Sequence, residues 1–73
     1  MSETLKNLRE GAKKTCTEAA QVLGVTVQAI RNYEYGIRRI SLEHILLLAE
    51  LYGVTEKEVI YAQLNSEMEG ESG

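Results

Sequence analysis

Apolar residues recur along this chain at helical spacing, in short runs separated by polar or glycine-containing breaks, and predict an all-α fold of five helices. Leu5, Leu8 and Ala12 mark the buried stripe of a first helix, capped by Ser2 or Thr4 and running to about residue 13, with a weakening at Gly11. Thr15 and Glu18 form a capping box that opens a second helix, whose stripe is Ala19, Ala20 and Leu23. Gly24 ends it, Val25 plugs the corner, and Thr26 caps a third helix over 27–35 with Ile30 and Tyr33 inward. Ser41 caps a fourth helix, with Leu42, Ile45, Leu46, Leu48, Ala49 and Tyr52 inward. Leu47 and Leu51 make that helix apolar almost all round, as expected of a central element, and Gly53 closes it. Thr55 and Glu58 give a second capping box and start a fifth helix through about residue 64. Val59, Ile60 and Leu64 share one of its faces, Val59 and Ile60 close the core, and Tyr61 and Leu64 are available for self-association. The domain thus spans 1–65. The Glu-, Gly- and Ser-rich segment 66–73 has nothing to bury and reads as a disordered acidic tail.

The stretch from Thr15 to Gly36 organises the rest: two short helices, a glycine-containing turn and a capped second member make a helix-turn-helix. The outward positions of its second helix include Gln28, Arg31 and Asn32. Gln and Asn amides pair with adenine N6 and N7, and Arg pairs with guanine O6 and N7. The helix start at Thr26 to Gln28 can reach base edges, while free N–H groups at the start of the preceding helix, at Thr15 and Cys16, hold phosphate. An ordinary solvated helix face would carry similar residues.

At 73 residues the chain is one small domain whose core is marginal without good packing or a partner. With no Pro, Trp or Phe, aliphatic side chains and four tyrosines must fill that core. No apolar run approaches the roughly 18 residues of a membrane span, and no signal-peptide pattern opens the chain. The single Cys16 excludes an internal disulfide and suits a reducing bacterial cytoplasm. His44 has no ligand at useful spacing, so no metal site is expected. With one His, one Cys and no phosphate-cradling loop, an enzyme is not expected, nor a cofactor or small-molecule substrate. The net charge of −3 disfavours nucleic acid at first sight. However, Glu67, Glu69 and Glu71 lie in the last eight residues, and between Thr26 and Arg39 the only acid is Glu34, against Arg31, Arg38 and Arg39.

In order and length, these helices resemble the Cro/CI, or XRE, family of repressor-like DNA-binding domains over roughly Thr4 to Ile60. The resemblance rests on LKNLRE, EAAQVLGVT, AIRNYEYG and SLEHILLLAELYGVTEKEVI in combination. It implies a small transcription regulator of a phage-like switch that binds double-stranded operator DNA, commonly as a homodimer, with the third helix in the major groove. Carried over by position, it implies base contacts from Val27, Gln28 and Asn32 with Arg31 at the groove edge. Phosphate contacts follow at Thr26 and at Arg38 or Arg39, and Glu34 bridges to a basic residue such as Arg9.

The departures from the family pattern support an alternative. Cys16 stands where the family usually has a glutamine that bonds phosphate, and a thiol is a poor donor. Tyr35 and Ile40 replace a usual Asn and Pro, Val27 takes a base-reading position that is more often polar, and Val22, Ile37 and Leu47 are apolar where charge is usual. Val22, Val27, Tyr35, Ile37 and Ile40 would then form a docking surface for a partner repressor's DNA-binding domain, making the chain a modulator or antirepressor.

Overall fold

In the computed structural model, residues 3–72 are described, with side chains for 3–68, and they form five helices. These are α1 (Leu5–Gly11), α2 (Cys16–Leu23), α3 (Val27–Glu34), α4 (Leu42–Tyr52) and α5 (Glu56–Ser72). No strand occurs among the described residues. Each of the first four helices starts on a side-chain cap. Thr4, Thr15, Thr26 and Ser41 accept from the N–H three residues on, and both capping boxes are formed in full. Ser2 lies outside the described residues.

α2, α3 and α4 wrap a core of Ala19, Ala20, Leu23, Ile30, Tyr33, Ile45, Leu48, Ala49 and Tyr52, which α1 closes with Leu5 and α5 with Val59 and Ala62. Val25 packs against this core from the turn, as its place between the two helices requires.

The first helix is shorter than its pattern suggests. It ends at Gly11, and Ala12 caps it. Lys13 then turns left-handed at φ 58°, so that Lys14 N–H reaches the Arg9 carbonyl and Lys13 N–H that of Glu10. This is the same closure that glycines make after α2 and α4, here formed by a residue with a Cβ.

On α4 the apolar surplus is not all inward. Ile45, Leu48, Ala49 and Tyr52 form the buried stripe, but Leu42 is 72% and Leu46 50% exposed. Leu42 projects from the first turn, and Leu46 lies about 100° round the helix from Ile45.

The largest departure is α5. Its buried face is Val59, Ala62, Gln63 and Ser66, one helical stripe of which half is polar. Ile60, expected in the core, lies off that stripe and is 40% exposed. The helix also continues past Asn65, so disorder does not hold at 66–68, and Ser66 is 2% exposed. The reason is polar capture. Ser66 Oγ accepts the Leu5 N–H at 3.1 Å and donates to the Ala62 carbonyl at 2.8 Å, while Asn65 Nδ2 donates to the Glu3 carbonyl. Gln63 accepts the buried Ile40 N–H at 2.5 Å. Of the segment beyond, the side chains of 69–72 and all of Gly73 lie outside the described residues.

Candidate nucleic-acid interface

α3 is held on its inner side and free on its outer one. Ile30 and Tyr33 are buried, and Val27 is partly buried against the core. The Tyr33 hydroxyl lies 3.0 Å from His44 Nδ1 with the two rings edge to face, so His44 of α4 is a partner of α3. Glu34, at the far end of α3, receives Arg9 of α1 through two bonds, Nε to Oε2 at 2.7 Å and Nη2 to Oε1 at 3.2 Å. Both side chains are largely buried, and Arg9 also donates to the Lys14 carbonyl. The guanidinium is held in its charged form chiefly by the hydrogen bond to Glu34. The bridge implied by resemblance is therefore present, and it uses up the one acid between Thr26 and Arg39.

The outward residues of α3 are Gln28 and Arg31, with half-buried Asn32 beside them and Tyr35 one turn on. Arg31 has no ion pair or hydrogen-bonded side-chain partner among the described residues, and the N–H groups of Val27 and Gln28 are not used. Gln28 Nε2 donates to Asn32 Oδ1 at 3.1 Å, one helical turn away. Thr26 spends its hydroxyl on the Ala29 N–H.

At the start of α2 the arrangement is more crowded. Both groups of Thr15 are engaged, its hydroxyl by the Glu18 N–H and its own N–H by the Glu18 carboxylate at 2.9 Å. Those bonds, with a smaller contribution from Lys14, hold the Glu18 carboxyl below its ordinary range. A phosphate at Thr15 would thus meet a carboxylate. Cys16 is partly buried against the core, and its N–H and that of Thr17 are the unused donors of this turn.

In the loop after α3, Arg38 is exposed and its guanidinium has no partner among the described residues. Arg39 is engaged by Glu67 of α5 at 3.3 Å.

The apolar candidates do not make one surface. Tyr35 and Ile37 are 58% and 72% exposed, but Ile40 is 6% exposed and belongs to the core, where its backbone N–H is fixed by Gln63. Val22 instead lines a shallow groove with Leu47, Glu50 and Leu51, between α2 and α4. Among the described residues no cluster of three or more His, Cys, Asp or Glu forms a metal-binding group, and no helix is long and apolar enough to cross a membrane.

The sequence profile of one known family, described as helix-turn-helix, matches residues 5–59. No curated protein and no solved structure matches the chain. With its first four helices and the start of α5 inside that match, the chain belongs to the helix-turn-helix family, of the Cro/CI or XRE type, and is a DNA-binding transcription regulator.

Proposed function

We propose that this regulator reads double-stranded operator DNA with α3 in the major groove, as part of a phage-like genetic switch, and does so as a homodimer on paired half-sites. The observation that carries the reading is the two-sidedness of α3. Ile30, Tyr33 and Glu34 lock it to the domain, while Gln28, Arg31 and Asn32 stand outward with donors and acceptors unspent on the rest of the fold. Val27 sits at the rim with methyl groups suited to a thymine methyl. Unused N–H groups at Cys16 and Thr17, the exposed Thr26 and Arg38, and Arg39 once released from Glu67 supply phosphate contacts around it.

The test is a titration against the chain's own upstream DNA and a scrambled duplex at two salt concentrations. Affinity that rises at low salt, with a preference for its own sequence that is lost in Arg31→Ala, is expected; equal, weak binding to both duplexes overturns the reading.

Exposed Tyr35 and Ile37 favour one second reading, an antirepressor that docks on a partner repressor's DNA-binding domain. With Ile40 buried and Val22 in the α2–α4 groove, that surface reduces to the end of α3. Ile37→Asp would abolish the complex under this reading and leave operator binding unchanged under the first.

A further inference from the structure

We propose that the outer face of α4 docks a basic amphipathic helix of another protein, which lays aliphatic side chains on Leu42, Leu46 and Leu47 and into the groove beside Val22.

α4 buries Ile45, Leu48, Ala49 and Tyr52. Its other side is left to two rows of residues spaced four apart: Leu42, Leu46 and Glu50 in one, Glu43, Leu47 and Leu51 in the other. Each row holds two leucines and one glutamate, and the glutamates stand at opposite ends. Leu42 and Leu46 are exposed. Leu47 and Leu51 touch the core on one side and, with Val22 and Glu50, line the groove toward α2 on the other. Apolar groups gathered in this way and rimmed by charge mark a protein contact. The surface includes none of the outward residues of α3 and does not depend on α3 reading DNA.

Charge selects the occupant. Glu43 and Glu50 are exposed and have no ion-pair partner among the described residues. A second copy presenting the same face would be related by a two-fold axis. An axis across α4, midway between Leu46 and Leu47, sets Leu42 opposite the second copy's Leu51 and Glu50 opposite its Glu43. An axis along α4 sets each glutamate opposite itself. Both arrangements pack leucine on leucine but juxtapose like charges, which opposes association. Nucleic acid and anionic lipid surfaces meet the same repulsion. The face is completed instead by a helix whose aliphatic side chains recur one turn apart, with Lys or Arg beside them to meet Glu43 and Glu50.

The probe is a helical peptide of leucine and lysine, with the leucines on one face and the lysines flanking them. In the control peptide glutamate replaces every lysine. Each is titrated into the 15N-labelled full-length protein at low salt. Amide shifts at Val22, Leu42, Leu46 and Leu47 are expected with the lysine peptide alone. Glu43→Gln combined with Glu50→Gln should weaken the complex about five- to tenfold, an effect that added salt removes. Leu42→Gln combined with Leu46→Gln should weaken it about tenfold or more. Since both leucines are exposed and Gln is nearly as good a helix former, the thermal midpoint of that variant should match wild type.

Equal binding of the two peptides overturns the inference, as do shifts confined to the end of α5 around Glu67. A lowered midpoint in the leucine variant also overturns it, by giving those side chains to the fold itself. A free protein that sediments as a dimer, and as a monomer once the two leucines are replaced, overturns it by making a second copy the occupant. Operator binding by α3 is read on DNA alone and survives each of these results.

Discussion

The Glu67 Cα stands 2.6 Å from the point that a Cβ on residue 36 would occupy, with the Ser66 carbonyl at 2.7 Å. The end of α3 and the later turns of α5 therefore meet backbone to backbone, at a residue whose φ of 76° already favours glycine. Gly36→Ala must strain the turn and displace α5 as well. Gly24 has the same left-handed φ but open space around it. The expected losses are about 1 kcal/mol for Gly24→Ala, from the strained φ alone, and about 3 kcal/mol or more for Gly36→Ala. Urea unfolding of the two variants, compared with wild type, checks the difference.

Ser66 offers a second handle on the same region. Removing its hydroxyl leaves the Leu5 N–H buried without an acceptor, so Ser66→Ala should cost about 1–3 kcal/mol. A chain stopped after Asn65 should lose at least as much, measured as a lowered thermal midpoint.

Lys13 points the other way. It holds a left-handed conformation that burdens any residue with a Cβ, and its charge reaches no described acid. Lys13→Gly should stabilise the protein by up to about 1 kcal/mol, a rise in melting temperature of about 4–8 °C at most for a domain of this size.

Arg38 and Arg39 should behave differently on DNA. Arg38 is free, so Arg38→Ala should weaken binding to every sequence alike and reduce the salt slope by about one. Arg39 must first leave Glu67, and Glu67→Gln should therefore tighten binding, most visibly at low salt. Salt titrations of the three proteins on one duplex resolve the two effects.

Tyr52 sets an alkaline limit on stability. Burial, reinforced by the nearby Glu34 charge, raises its phenol well above the ordinary range. An acid whose folded pKa is raised contributes stability that is fully present below its unfolded pKa, about 10, and is lost as pH rises beyond it. Wild type should thus lose stability progressively as pH rises above about 10, and Tyr52→Phe should lose less, by denaturant unfolding from neutral to alkaline pH.

The helix-turn-helix was legible because local chemistry marks it: caps at Thr15 and Thr26, stripes at Ala19, Ala20, Leu23, Ile30 and Tyr33, and Gly24 between them. The outward placement of Gln28 and Arg31 followed from the same periodicity. What escaped was packing that carries no hydrophobic signal. Gln63 and Ser66 look like solvated residues until their partners, the Ile40 and Leu5 N–H groups, are in place, and those partners are remote in sequence. Ile40 is buried in the same way, with its backbone N–H fixed by Gln63, 23 residues away on α5. Arg9 and Glu34 were joined only through family resemblance, because nothing local links residues 25 apart.

The bond from Leu5 to Ser66 also sets a timetable for biosynthesis. The N–H that Ser66 receives is translated 61 residues before its acceptor. While the ribosome still holds that later stretch in its exit tunnel, α1 lacks the partner that fixes its beginning, and α2 to α4 must wait with one side uncovered. The domain therefore completes itself only after the fifth helix has emerged, and a pause in translation just before that point would prolong exposure of the apolar core to other nascent chains.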